Sequence, residues 1–196
     1  MNDKGMVYVF SGDGKGKTSA ALGVTVRMLM INKRVVWISW YKCSEWQVSE
    51  MTLQNKFPGL LKMYWMGKGF YFNNLKIVKN YPKEVIPNLN TVVDKNTKFA
   101  HVQASKIALE KAESTLCSGR PPDLLVMDEV INAVSDGLLD ERDVIRVIRK
   151  RGRTHVVLTG RGVTEKMIKE ADLVTTMQKE KHPYDKGMLA VKGLDY

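Results

Sequence analysis

The sequence predicts an α/β fold in which a mostly parallel central sheet is covered by helices on both faces. Three observations carry this. Short runs rich in β-branched and aromatic residues alternate with longer stretches of helical period. Several of the short runs, "PDLLVMDE" at 122–129 above all, are apolar without alternation, the pattern of strands buried on both sides. A glycine-rich turn, "FSGDGKGKT", joins the first such run to the first helical stretch, and strand–turn–helix units of this kind build parallel sheets.

In chain order, "MVYVFSG" (6–12) reads as the first strand and "KTSAALGVTVRMLM" (17–30) as a helix. That helix is apolar almost all round, which suits an element packed deep against a sheet. "RVVWISWY" (34–41) and "LKMYWMG" (61–67) are the next strands. The stretch 97–119 is helical, with Phe99, Val102, Leu109, Ala112 and Leu116 on one face. The strand 122–129 ends in two acids, and Asp140 caps a helix over 141–151, with Asp143 in its first turn and Gly152 beyond it. "THVVLTGRG" (154–162) is a further strand, Thr164 caps a short helix, and "DLVTTM" (172–177) is a last central strand. The segment 68–96 has aromatics, asparagines and two prolines but no clean period. Long irregular stretches in compact domains are often active-site loops, so it is placed at the C-terminal edge of the sheet. With no internal repeat and no low-complexity linker, residues 1–196 are read as one domain.

At 44% hydrophobic and 27% charged residues the composition is that of a soluble globular protein. No apolar run reaches the roughly 18 residues of a membrane span, and the N-terminus lacks a signal-peptide pattern. Cys43 and Cys117 form neither a metal-ligand spacing nor a disulfide framework, so reduced thiols and a cytoplasmic location are expected. A net charge of +10 favours an anionic partner: nucleic acid, an acidic protein or a polyphosphate. The densest basic run, "RVIRKRGR" at 146–153, reads either as a solvated helix terminus or as a nucleic-acid patch.

The glycine loop is the strongest local signal. The usual phosphate-binding loop has glycine, four free residues, then Gly-Lys-Ser/Thr. Here Ser11 holds the first position and the glycine comes at Gly12, so the cradle is one residue shorter. Gly12, Gly14 and Gly16 allow close backbone approach, and the amides at the helix start form an anion nest. Lys17 adds a mobile charge and the Thr18 hydroxyl a ligand for Mg²⁺. Asp128 and Glu129 end a parallel strand where the ligand crevice lies, and can hold Mg²⁺ directly or through water. Arg161, in "TGRG" after a strand, can clamp a triphosphate with its planar guanidinium. Arg27 is directed either outward or at phosphate, and sequence does not choose between them.

Together "GDGKGKTSAALG", "LLVMDEV", "VVLTGRG" and the tail "KEKHPYDKGMLAVKGLDY" resemble the P-loop type of ATP:corrinoid adenosyltransferase, over nearly the whole chain. The resemblance implies a P-loop NTPase (RecA-like) fold and transfer of the 5′-deoxyadenosyl group of ATP to Co(I) of a corrinoid, with release of triphosphate. The family binds its nucleotide reversed, with the γ-phosphate where other P-loop enzymes keep the α-phosphate, and a short cradle then suits a reacting C5′ that points out at cobalt. By the resemblance, Gly12, Asp13, Gly14, Lys15, Gly16, Lys17 and Thr18 hold the triphosphate, Ser19, Arg27 and Arg161 assist, and Thr18 and Glu129 bind Mg²⁺. Phe70 and Phe72 of "KGFYF" fall where the family carries an aromatic pair that excludes the corrinoid's lower axial ligand. An acidic, flavodoxin-like electron donor and a homodimer are implied in the same way, with no membrane and no specific nucleic acid as partners. Asp13 stands where the family commonly has Asn, "DEVINAV" departs from the commoner Leu and Thr after the acidic pair, and the chain starts almost at its first strand, without the N-terminal helical extension of some relatives.

Two other functions compete with this one. A P-loop NTPase acting on nucleic acid or as an assembly motor fits the basic charge, and would release ADP and phosphate. A non-enzymatic corrinoid-binding module would not need the intact Lys17, Thr18 and Glu129.

Overall fold

The computed structural model describes residues 4–45, 48–69, 71, 96–188 and 190–194. Its strands are β1 (Val7–Ser11), β2 (Val35–Ser39), β3 (Leu61–Trp65), β4 (Leu124–Asp128), β5 (His155–Thr159) and β6 (Leu173–Thr176). They form one six-stranded sheet in the order β3-β2-β4-β5-β1-β6, and all neighbouring pairs are parallel. The helices are α1 (Lys17–Met30), α2 (Leu53–Lys56, after a 3₁₀ turn at Ser49–Thr52), α3 (Lys98–Leu116), α4 (Val130–Ser135), α5 (Glu141–Arg149) and α6 (Glu165–Glu170).

Period-two side-chain alternation with both faces covered gives two cores. On one face Leu124 and Val126 of β4 pack with Trp37, Val35 and Phe10 under Ala21 and Leu29 of α1. On the other, Leu125 and Met127 pack with Val7, Val9, Ile38 and Leu158 under Ala108 and Ala112 of α3, Ile131 of α4 and Ile148 of α5. Every residue of β4 is therefore buried, which explains its unbroken apolar run. The helix starts follow local chemistry: the side chains of Thr97, Asp140 and Thr164 accept amide protons from Ala100, Arg142 and Met167.

Three expectations change. The last strand is not central: among the described residues β6 pairs only with β1, at the sheet edge, and all its residues are exposed. Helix α1 is not enclosed, because Ala21, Thr25 and Leu29 make up its buried stripe while Met30 is 70% exposed. An apolar sequence all round therefore hid an ordinary surface helix. Phe99 is 71% exposed, and the inner face of α3 runs instead through His101, Ser105, Ala108, Leu109, Ala112 and Leu116. His101, in the same first turn, is buried, whereas at 3.6 residues per turn Phe99 falls well round the helix from this stripe.

This difference is measurable. Leu125→Ala empties a fully buried site and should cost about 2–5 kcal/mol, seen as a lower urea midpoint at unchanged slope. Phe99→Ala should stay within about 0.5 kcal/mol of the parent; a core-sized loss there would restore the original face.

Candidate active site

The glycine loop connects β1 to α1 at the C-terminal end of the sheet. Gly12 and Gly16 have φ of 102° and 103°, left-handed values that favour glycine. The loop is braced from outside by the chain leaving β6: the Gly14 amide donates to the Met177 carbonyl at 2.8 Å. A Cβ on Gly12 would lie 2.3 Å from that carbonyl oxygen, and one on Gly14 2.6 Å from the Gln178 carbonyl oxygen. These two glycines thus serve close chain packing, and the Gly14 amide is taken out of the anion nest. What remains is the start of α1, which has no side-chain cap and no acid in its first turn, so its unpaired amides and dipole face the loop. Lys17 Nζ donates to the carbonyls of Gly12 (2.8 Å) and Gly14 (2.6 Å). Burial and nearby Arg161 lower its pKa, while Glu129 and Asp13 hold it up.

Asp128 ends β4 with no exposed surface. Its Oδ1 accepts from Thr18 Oγ1 at 3.1 Å and Thr159 Oγ1 at 2.8 Å; its Oδ2 accepts from Ser39 Oγ at 3.1 Å and Lys42 Nζ at 3.0 Å. Strand register makes this possible, since Ser39 lies beside Asp128 on the neighbouring strand. With both oxygens used, Asp128 orients Thr18 and leaves direct metal contact to others. Glu129 follows in a left-handed conformation (φ 63°), its amide donating to Thr159 Oγ1 at 2.8 Å. That kink turns it away from the sheet, and its Oε2 is buried with no hydrogen-bond partner among the described residues. Burial and the neighbouring Asp128 push its carboxyl up to about 7, against Lys42, Lys17 and Arg161, which pull it down.

An orphaned carboxylate oxygen beside an oriented threonine hydroxyl fits Mg²⁺, a hard cation that takes oxygen ligands and accepts phosphate oxygens as the rest of its shell. No group of three or more His, Cys, Asp or Glu gathers among the described residues, so Thr18 and Glu129 alone would not hold the ion.

Arg161 follows β5, its amide donating to Asn132 Oδ1 of α4 at 2.5 Å and its Nη2 lying 3.4 Å from the Asp13 carbonyl. The residue is thus held across the loop. Asn132 belongs to the "DEVINAV" stretch, which gives that stretch a function in placing Arg161. Lys15, Asp13 and Ser19 are exposed around the loop mouth. Arg27 is exposed and ten residues along α1, about 15 Å from its start, so it is not gathered with the others. Phe70 and Phe72 lie outside the described residues. The stems of their segment are placed: the Gly67 and Gly69 amides donate to the carbonyls of Lys42 and Tyr41, both at 3.0 Å, and the Tyr71 ring sits 5.1 Å from that of His101.

Lys42 and Glu50 belong to no motif, yet they complete the charge network. Lys42 Nζ reaches Glu50 Oε1 at 2.8 Å as well as Asp128, with side chains 11% and 8% exposed. Burial alone would lower the Lys42 pKa, but Asp128, Glu129 and Glu50 more than offset this and raise it. The available signal was position: a lysine just past an apolar strand, at the same sheet end as Asp128.

Comparison with known proteins agrees with this geometry. The family model for the ATP:corrinoid adenosyltransferase BtuR/CobO/CobP matches residues 3–196. A corrinoid adenosyltransferase of Pseudomonas aeruginosa is 29% identical over 196 residues, spanning 100% of this chain and 85% of the relative. Corrinoid adenosyltransferase CobA of Salmonella typhimurium is 29% identical over 195 residues, spanning 99% and 87%. Among solved structures, flagellar accessory protein FlaH of Methanocaldococcus jannaschii superimposes with a TM-score of 0.50 at 12% identity, covering 89% of this chain and 71% of that one. That likeness concerns the fold alone. With a glycine loop, an oriented threonine and an acidic pair on a chain matched almost end to end, this protein belongs to the ATP:corrinoid adenosyltransferase family.

Proposed function

We propose that this chain transfers the 5′-deoxyadenosyl group of ATP to Co(I) of a corrinoid, giving an adenosylcorrinoid and triphosphate. The family match over residues 3–196 on a chain that keeps Lys17, Thr18, Asp128 and Glu129 together carries the reading. Co(I) supplies the electron pair that forms the Co–C5′ bond, and the C5′–O bond breaks with its pair leaving on triphosphate. The cobalt is the nucleophile, so the protein needs no nucleophilic side chain; its work is alignment and charge stabilisation. Lys17, Arg161 and the first amides of α1 face the leaving group. Thr18 and Glu129 would hold Mg²⁺, which when bound offsets the charge gathering on the triphosphate.

Phe70 and Phe72 are proposed to exclude the lower axial ligand, easing reduction of Co(II); the resemblance supports this, and so do stems that reach the same sheet end as the glycine loop. A flavodoxin-like donor and a homodimer rest on the resemblance, and a net charge of +10 suits an acidic donor. A cytoplasmic location is proposed from the two free thiols. Among the described residues no helix is long and apolar enough to cross a membrane. The basic run gives the nucleic-acid reading little support, because Arg146 and Lys150 pair with Glu113, and Arg149 with Glu170.

The products decide the reaction. With ATP, Mg²⁺ and chemically reduced cobalamin, the chain should yield triphosphate; ADP and phosphate would mean a motor-type hydrolase. Lys17→Ala should lower turnover about ten- to a hundred-fold with the fold intact, the loss expected for one charge-assisted contact. Normal turnover would remove Lys17 from the cradle.

The Glu129 carboxyl adds a pH test. Its pKa is raised on folding from 4.5 to about 7, so the folded state favours the protonated acid. The resulting stability is present below pH 4.5 and lost as pH rises through about 7. Glu129→Gln should therefore melt higher than the parent at pH 8 without ligands, while requiring at least about tenfold more Mg²⁺ for activity. A variant that melts lower at pH 8 would show that the buried carboxylate is satisfied in the free protein.

A further inference from the structure

We propose that a basic cavity at the β3 edge of the sheet, formed by Arg34, Lys62, Lys111 and Arg120 around Tyr64, is a second anion site. Its ligand is a short chain of phosphates, either free or carried on a small organic molecule. The inference does not rest on the proposed adenosyl transfer.

The cavity lies between the first residues of β2 and β3 and the C-terminal half of α3, and its volume is about 470 Å³, within the range of small-molecule sites. Among the described residues β3 pairs only with β2, which leaves the cavity at the sheet edge. All strands are parallel, and the glycine loop follows the end of β1, whereas Arg34 and Arg120 come before β2 and β4. The cavity is therefore on the side of the strand starts, away from the candidate active site.

Its lining contains four cationic side chains and no carboxylate. Among the described residues none of the four has a carboxylate within ion-pair distance. Asp123 stands beside the rim, but its carboxylate accepts the Arg34 backbone amide at 2.9 Å and pairs with Lys33 at 3.5 Å. The Arg34 guanidinium donates instead to the carbonyls of Arg120 (3.2 Å) and Pro121 (2.6 Å). Those neutral acceptors fix its direction without cancelling its charge. Lys62 and Lys111 converge on one phenol, their ammoniums 5.4 and 4.6 Å from the centre of the Tyr64 ring. Burial would raise the Tyr64 pKa, but hydrogen bonds and charge from both lysines lower it overall. The basic run on α5 is different, since Arg146 and Lys150 share Glu113 and Arg149 pairs with Glu170. Four cations spread round one cavity call for more than one anionic group. A phosphate chain supplies several charged oxygens at once, and Arg and Lys are its usual partners.

The test is a calorimetric titration with inorganic triphosphate. Lys17→Ala weakens the glycine loop, and a binding site should remain in that protein. Adding Lys62→Gln with Lys111→Gln should lower the affinity of the remaining site at least about tenfold, the loss expected for charge-assisted contacts. Adding Lys106→Gln with Lys169→Gln removes the same net charge from exposed positions elsewhere and should change it less than about twofold, because distant surface charges are screened. ATP titrated into the same Lys17→Ala protein separates the two sources. Tighter binding than triphosphate assigns the site to a phosphorylated organic molecule, and equal or weaker binding to the free ion. A Lys17→Ala protein that binds no triphosphate, a remaining site unmoved by the Lys62 and Lys111 changes, or equal losses in the two double variants would each overturn the proposal.

Discussion

A single carboxylate with no exposed surface organises this end of the molecule. Asp128 accepts hydrogen bonds from side chains on four pieces of chain: the start of α1, the end of β2, the segment after β2 and the end of β5. An ionised carboxylate left unpaired in such a place would cost several kcal/mol, so each donor is constrained to come to it. Strands β2, β4 and β5 are adjacent in the sheet, which delivers Ser39 and Thr159 beside it. The glycine loop brings Thr18 from β1. The order of the strands and the place of the phosphate site are thus tied together by one buried charge.

How much of this was legible in the sequence follows from the range of the interactions. The strands were readable because burial on both faces forces a continuous apolar run, as at 124–128. The glycine loop and the acidic pair were readable because they are local. The edge position of β6 was not, since an edge strand with apolar residues such as Leu173 and Val174 reads like a central one. Phe99 was misplaced because the buried stripe of α3 runs through polar His101 and Ser105, which an apolar pattern passes over, and Phe99 lies well round the helix from it. Lys42 and Glu50 were unreadable for another reason: their meaning comes from Asp128, some 80 residues away in sequence. The roles of Phe70 and Phe72 lie beyond the described residues.

The shortened glycine loop acquires a local cause. Gly12 and Gly14 are pressed against the backbone at 177–178, and the Gly14 amide is spent on that contact. An extra residue in the turn would have to displace the chain leaving β6. The chain leaving the strand that sequence placed centrally therefore forms the outer wall of the glycine loop. The close backbone-to-backbone approach is by itself a demand for glycine at both positions.

The excess positive charge divides along the same line. Arg146 of α5 and Lys150 just beyond it share Glu113, Arg149 pairs with Glu170, and Arg151 is buried with its guanidinium on the Gly5 and Ile148 carbonyls. Exposed pairs of this kind contribute about 0–1 kcal/mol each, so they do little for stability, and they offset part of the run's charge. At the loop the balance differs. Lys17 is held by carbonyls, Arg161 by an amide side chain and a carbonyl, and neither has a carboxylate within hydrogen-bond range among the described contacts. Glu129 is near enough for its charge to act on Lys17 and Arg161, yet it keeps one oxygen without a hydrogen-bond partner among the described residues. These groups feel one another's charge without a direct hydrogen bond between them. An arrangement of this kind suits the proposed entry of a polyanion together with a cation, which would meet the charges that the protein leaves without direct partners.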